Sequence, residues 1–161
     1  MSSTFRGFDL NFYAKIFNFA ALNKIRLLGL NIPYPVSSYI GQVGLGNIPK
    51  TLRSKLPQEI DLSNARHKAQ FVKAIAYSDH LSLPSEKVDK MYQVQTLWEE
   101  YMAETAADFV NRNPEALLCV IAGVGHVKGR VGIPDRIRKR TSSEPFVIVP
   151  EQVEWIVSGS I

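Results

Sequence analysis

The residues best equipped for chemistry lie together in AGVGHVKGRVGIP, residues 122–134. Gly123, Gly125, Gly129 and Gly132 surround His126, Lys128 and Arg130, and Pro134 closes the run. Glycines admit positive φ and let a ligand approach the backbone. Pro134 suits the first turn of a helix over PDRIRKR, and the free N–H groups of such a turn attract an anion. A neutral imidazole can ligate a metal, and with an unperturbed pKa of about 6.5 it can move protons. The run therefore describes an anion site with a histidine at its edge. The same residues also fit a plain turn in which His126 hydrogen-bonds a neighbouring segment, and spacing alone does not decide. The pattern is neither the dinucleotide-binding G-x-G-x-x-G nor a Walker loop.

The other reactive types read more blandly. Glu99, Glu100 and Glu104 share a helical stretch, and carboxylates at such spacing form a solvated face. His67 and His80 have no partner at ligand spacing and read as surface residues. Cys119 sits inside the apolar run ALLCVIAG, where a thiol is a small buried hydrophobe without the exposed, electropositive setting of a nucleophile. No Ser/His/Asp or Cys/His signature occurs, so nucleophilic catalysis is disfavoured. RIRKR, residues 136–140, lacks interleaved aromatics and reads as a solvated face or an anion contact, with no nucleic-acid partner expected.

These side chains need a frame to hold them. The 161 residues are 45% hydrophobic and 21% charged, the composition of one globular domain with a real core. The net charge of +4 suits an anionic ligand without demanding one. No run is long and apolar enough to span a bilayer, and residues 1–13 resemble neither a secretory signal nor a transit peptide. Residues 25–31 (IRLLGLN) and 116–123 (ALLCVIAG) are apolar without alternation, and FVIVP (146–150) follows one short helix later. Such runs, separated by helical pattern, predict an α/β fold: a parallel sheet with helices on both faces. Helical periodicity is clear over residues 9–24, capped by Asp9, over 63–80, and over a long helix from Ser85 to about residue 111. The Pro- and Gly-rich residues 31–57 predict a helical insertion in the first crossover. His126 then lies at the carboxyl end of a strand, where open α/β sheets bind ligands, facing a cleft shared with Asn31 at the end of the neighbouring strand.

The wording of four segments carries a family resemblance. AGVGHVKGRVGIPDRIRKR, QTLWEEYMAETAADF, LLGLNIPYPV and VGLGNIPKTLRSKLP together resemble the ChaN family of haem-binding uptake proteins in the Tiki/TraB superfamily. The phrases GLNIPYPVSSYIGQVGL and GVGHVKGRVGIP are closest to the plant form, which accompanies a RETICULATA-like membrane region in chloroplast proteins. The family's later G-x-x-H matches Gly123, Val124, Gly125 and His126. Its earlier G-E-x-H is not found, so the resemblance implies a C-terminal part of the domain, lacking the first strand or strands. Where the family has W-D-E-T-M-A, this chain has Trp98-Glu99-Glu100-Tyr101-Met102-Ala103.

The resemblance implies one partial domain over residues 8–150, with terminal extensions at 1–7 and 151–161. It implies a module that binds haem or another anionic tetrapyrrole and handles or transfers haem or iron. Gly123, Gly125, Lys128, Arg130, Gly132 and Asn31 would cradle the ligand beside His126, and the axial ligand would be a tyrosine such as Tyr34, Tyr39 or Tyr101, or a histidine. Two alternatives stand beside it. One is a Tiki-type hydrolase using a divalent metal on His126, the remaining route to an enzyme. The other is a non-catalytic assembly module. A strand lost from the sheet exposes an edge that recruits another copy, so a homo-oligomer is expected. The plant-type wording places the protein in the chloroplast, with membrane association through a region outside this chain; the alternative is a bacterial cell envelope.

Overall fold

The computed structural model describes residues 9–77 and 83–150, and these form helices joined by turns and irregular segments, with no strand pairing among the described residues. The helices are α1 (Ala14–Leu22), α2 (Tyr34–Val43), α3 (Lys50–Arg53), α4 (Ala65–Ala76), α5 (Ser85–Arg112) and α6 (Ile133–Arg140). Short 3-10 turns precede α1, follow α2 and occupy Val124–His126 and Lys128–Arg130.

Local chemistry sets the helix starts. The Asp9 side chain accepts from the Asn11 N–H at 2.9 Å at the head of the turn leading into α1. Asn64 does the same for α4, accepting from His67 N–H. Pro33 and Pro84 precede α2 and α5, and Pro134 stands in the first turn of α6, where its missing N–H costs nothing.

The centre of the molecule is α5, 28 residues and therefore about 42 Å long. It packs on α2 along one side and on α6 along another. Against α2, Leu97 joins Ile32, Ile40 and Leu56 in one apolar cluster. Against α6, Met102, Ala103 and Ala106 meet Ile133 and Ile137 in a second. Alanines at 103, 106 and 107, all buried, let the helices approach closely.

The expected α/β parallel sheet is overturned. Residues 25–31, 116–123 and 146–150 lie outside the helices without regular secondary structure, and none is paired in a ladder. A sheet needs backbones in register about 4.8 Å apart, and these segments are held by side chains instead. Leu30, Leu118 and Ala122 pack on the α5–α6 cluster. Their neighbours face outward: Leu117 is 98% exposed, Phe146 88% and Leu27 60%. Cys119 is likewise exposed, contrary to its reading as a buried thiol. With no sheet there are no helices on two sheet faces and no crossover. The predicted insertion is nonetheless helical, as α2 and α3.

Candidate functional site

Where α4, α5 and α6 meet, a single carboxylate gathers the chemistry. Glu99, in the middle of α5, is fully buried. Its Oε2 is 2.9 Å from His67 Nε2 on α4 and 3.3 Å from Arg136 Nη1 on α6. Its Oε1 accepts from Gln95 Nε2 at 2.7 Å and lies 3.2 Å from His126 Nδ1. Glu100 continues the network: its Oε1 is 3.0 Å from Arg136 Nε and accepts from the Asp61 N–H, and its Oε2 is 2.7 Å from Arg140 Nη2. Buried charges persist only when paired in this way.

Burial pushes the Glu99 carboxyl up. The hydrogen bonds of His126 and His67, with the charges of His67 and Arg136, outweigh it and hold the group below its ordinary range. It is an anion at neutral pH. His67 turns Nε2 to Glu99 and Nδ1 to the Tyr92 hydroxyl, 3.1 Å away. Burial raises the Tyr92 phenol further, so it stays a donor.

The glycine-rich loop delivers His126 to this carboxylate. Its tightest point is Gly132, where an added Cβ would lie 2.2 Å from the His126 carbonyl oxygen and 3.1 Å from Glu99 Oε1. Only a residue without a side chain lets the loop fold back there. The reversal itself uses Gly129 and Arg130, both at positive φ (68° and 60°), and Gln70 of α4 pins it by donating to the Lys128 carbonyl at 2.9 Å. The His126 ring stands edge-on to Trp98 at 6.3 Å and its side chain is 21% exposed. Gln95 Nε2 is 2.9 Å from His126 Nδ1. Nδ1 therefore stands between an acceptor, Glu99 Oε1, and a donor, the Gln95 amide, and it can serve only one of them at a time; either way the imidazole is tied to the buried centre.

The loop's other predicted residues do not converge on His126. Arg130 is spent on Glu144 and on the Pro145 carbonyl, 2.7 Å away. Lys128 contributes its carbonyl to Gln70, and its residue is exposed. Gly123, Gly125 and Asn31 are exposed. The expected anion seat at the start of α6 is answered from within the chain: Asp135 in the first turn pairs with Arg138 at 2.8 Å and with Lys139 at 3.2 Å. RIRKR is thus largely neutralised internally, with Arg136 buried instead of solvated.

Three residues read from the sequence as surface prove central: Glu99 and Glu100 are buried, and so is His67. The hint was available in WEEYMAETAADF, where the adjacent pair Glu99 and Glu100 sits between Trp98 and the run Tyr101-Met102-Ala103. His80 lies outside the described residues. Among the described residues no group of three His, Cys, Asp or Glu is arranged to hold a metal ion, and no helix is long and apolar enough to cross a membrane.

A cavity of about 570 Å³ opens beside this centre, between α2, the face of α4 carrying Phe71, and the first half of α5. Its walls are mainly apolar, with Phe71, Met91, Val94 and Trp98, and Gln95 forms the polar floor toward His126. Lys87 and Lys90 also line it, beside Glu86. Tyr34, Tyr39 and Tyr101 do not line it; Tyr101 borders a second, more polar hollow of about 720 Å³ with Arg26 and Lys55.

The sequence model of the haem-binding uptake family, Tiki superfamily, ChaN, matches residues 2–137. The chain belongs to the ChaN family. Comparison with curated proteins and with solved structures returned no match. The match takes in α1 to α5, the glycine-rich loop and most of α6, so every residue that meets Glu99 lies within the ChaN region. Membership gives the protein a haem-related function in general terms and a tetrapyrrole as its class of partner.

Proposed function

We propose that this protein binds haem, or an anionic tetrapyrrole of similar shape, in the cavity between α2, α4 and α5. The observation that carries the reading is the cavity's construction: ligand-sized, lined by Phe71, Met91, Val94 and Trp98, with Lys87 and Lys90 also among its lining residues. A planar apolar macrocycle with carboxylate arms needs that combination of surfaces. The site therefore fits the group that the family implies.

Haem, when bound, supplies an iron with axial positions for ligands. The chain's own residues enclose the ring, exclude water from its faces and neutralise its carboxylates. Lys90 is paired with Glu86 at 2.9 Å, which leaves Lys87 as the lining lysine without an ion pair among the described residues. Below the ring, Gln95 joins the cavity to the His126–Glu99 pair and fixes the floor. His126 thus belongs to the site as the group behind that floor, while the Lys128 and Arg130 roles pass to Lys87 and Lys90. The sequence has one cysteine and so no C-x-x-C-H attachment motif. Binding without a covalent link suits a protein that takes up or hands on its ligand.

Titration of the full chain with hemin, followed by absorption in the Soret region, tests the reading. Saturable binding of one hemin per chain is expected. Trp98→Ala and Lys87→Ala should each weaken it by about tenfold, the effect of about 1.4 kcal/mol. Hemin binding unaffected by either substitution would place the ligand elsewhere, and no saturable binding would end the proposal.

A further inference from the structure

The chain divides its charge unevenly along its length. Residues 10–57 carry six cations, Lys15, Lys24, Arg26, Lys50, Arg53 and Lys55, and no acid, whereas residues 58–161 carry 12 lysines and arginines against 14 acids. None of the six has an ion pair among the described residues. Arg26 lies over the Phe109 ring at 4.7 Å and shares a hollow with Lys55 and Leu28. The acids of that hollow are engaged elsewhere, Asp108 by Arg112 and Glu104 by the Gln58 N–H.

This basic stretch also holds apolar surface that packs on nothing. The one buried residue of α1 is Ala20. Phe12, in the 3-10 turn that runs into α1, is followed by Lys15, Phe19 and Leu22 at spacings of three and four, the repeat that turns side chains to one face. That face meets solvent: Phe12 is 85% exposed, Phe19 61% and Leu22 84%, and Lys15 is exposed between them. Ile25, Leu27 and Leu28 continue the apolar surface, with Lys24 and Arg26 exposed among them. An exposed apolar patch of this kind marks a protein or membrane contact. The core of a protein interface is depleted in lysine, yet Lys15 stands inside the stripe. A bilayer surface takes both residue types: Phe and Leu enter the boundary between headgroups and acyl chains, while the ammonium groups reach the phosphates. The acid-free sequence selects anionic lipid. At nine residues, about 14 Å, α1 can lie in that boundary but cannot span a membrane.

We propose that residues 10–28 dock this chain on an anionic lipid bilayer, with Phe12, Phe19 and Leu22 in the headgroup boundary and Lys15, Lys24 and Arg26 at the lipid phosphates. None of these residues lines the α2–α4–α5 cavity, so the proposal is independent of the haem reading. Flotation of the full chain with vesicles of phosphatidylcholine, alone or mixed with phosphatidylglycerol, tests it. Binding should require phosphatidylglycerol and fall as salt is raised, because exposed charges are screened. Phe12→Ser with Leu22→Ser, and separately Lys15→Glu with Lys24→Glu, should each weaken it about tenfold or more. All four side chains are exposed, so circular dichroism and Tm should match the wild type. Equal binding to neutral vesicles, or binding that either double variant leaves unchanged, overturns the proposal. So does the absence of vesicle binding; an assembly by light scattering that Phe12→Ser with Leu22→Ser breaks up would then assign the face to a second copy of the chain.

Discussion

Replacing Glu99 with glutamine removes one charge from the most enclosed polar centre of the molecule while keeping the side chain's shape. The carboxylate faces His67 Nε2 at 2.9 Å, Gln95 Nε2 at 2.7 Å, His126 Nδ1 at 3.2 Å and Arg136 Nη1 at 3.3 Å, all out of water. Breaking a buried ion pair by removing one partner costs about 3–5 kcal/mol. Arg136 keeps Glu100 at 3.0 Å and the Val131 carbonyl at 3.0 Å, which places the loss in Glu99→Gln near the lower figure, about 3 kcal/mol. For a chain of this size that is a fall in Tm of about 6–12 °C. Urea and thermal unfolding followed by far-ultraviolet circular dichroism at pH 7 measure it, with Glu86→Gln as control: its pair with Lys90 is exposed to solvent, so Tm should stay nearly unchanged. The pH dependence has a fixed sign. Because the folded Glu99 carboxyl is held below its ordinary value of 4.5, its stabilisation is full above that pH and fades as pH falls through the lowered value. The gap between wild type and Glu99→Gln should therefore narrow on acidification. A loss below about 1 kcal/mol at pH 7, or a gap that widens in acid, would mean that Glu99 is solvated and would refute the buried-centre account.

Gly132→Ala places a methyl group 2.2 Å from the His126 carbonyl oxygen, so unfolding should show a loss of about 1–3 kcal/mol and hemin affinity should fall with it; an unchanged Tm would contradict the packed loop. Asp61, held by the Ser63 hydroxyl and N–H, should titrate at about 2 by carboxyl-carbon NMR, against an ordinary 3.8, and a normal midpoint would remove that turn. Residues 117–122 and 146–150, outside any helix, carry backbone groups without ladder partners, beside Leu117, Ile121, Phe146 and Ile148 on the surface. Such an edge pairs readily with the same segments of a second copy, so light scattering at micromolar concentration should give a dimer or larger species, and a clean monomer would sink the expectation.

The helices of this protein are legible in its sequence because their signals are local. Asp9 and Asn64 cap within three residues, prolines mark the entries of α2, α5 and α6, and the 3.6-residue period of α5 runs through Met91, Val94 and Trp98. The His126 loop stood out for the same reason, since clustered glycines around a histidine are a local oddity, and the four family motifs are local words. The environments of the side chains were not. Glu99 and Glu100 read as a solvated face because an acidic pair on a helix carries no mark of how many neighbours the helix has. With α2 on one side and α6 on the other, α5 has almost no solvated face at mid-length, and Arg136 arrives from 36 residues downstream to neutralise them. His67 looked isolated because its partner is 32 residues away in the chain and 2.9 Å away in space. The three apolar runs read as strands but form none, because a β-sheet requires a partner at hydrogen-bonding distance, and pairing is a property of two segments that neither encodes alone. What the sequence settled here is everything that depends on residues within about one helical turn of each other; which charges lie buried, which segments pair and which wall faces the ligand depend on contacts between distant residues, and only the packed chain decides those.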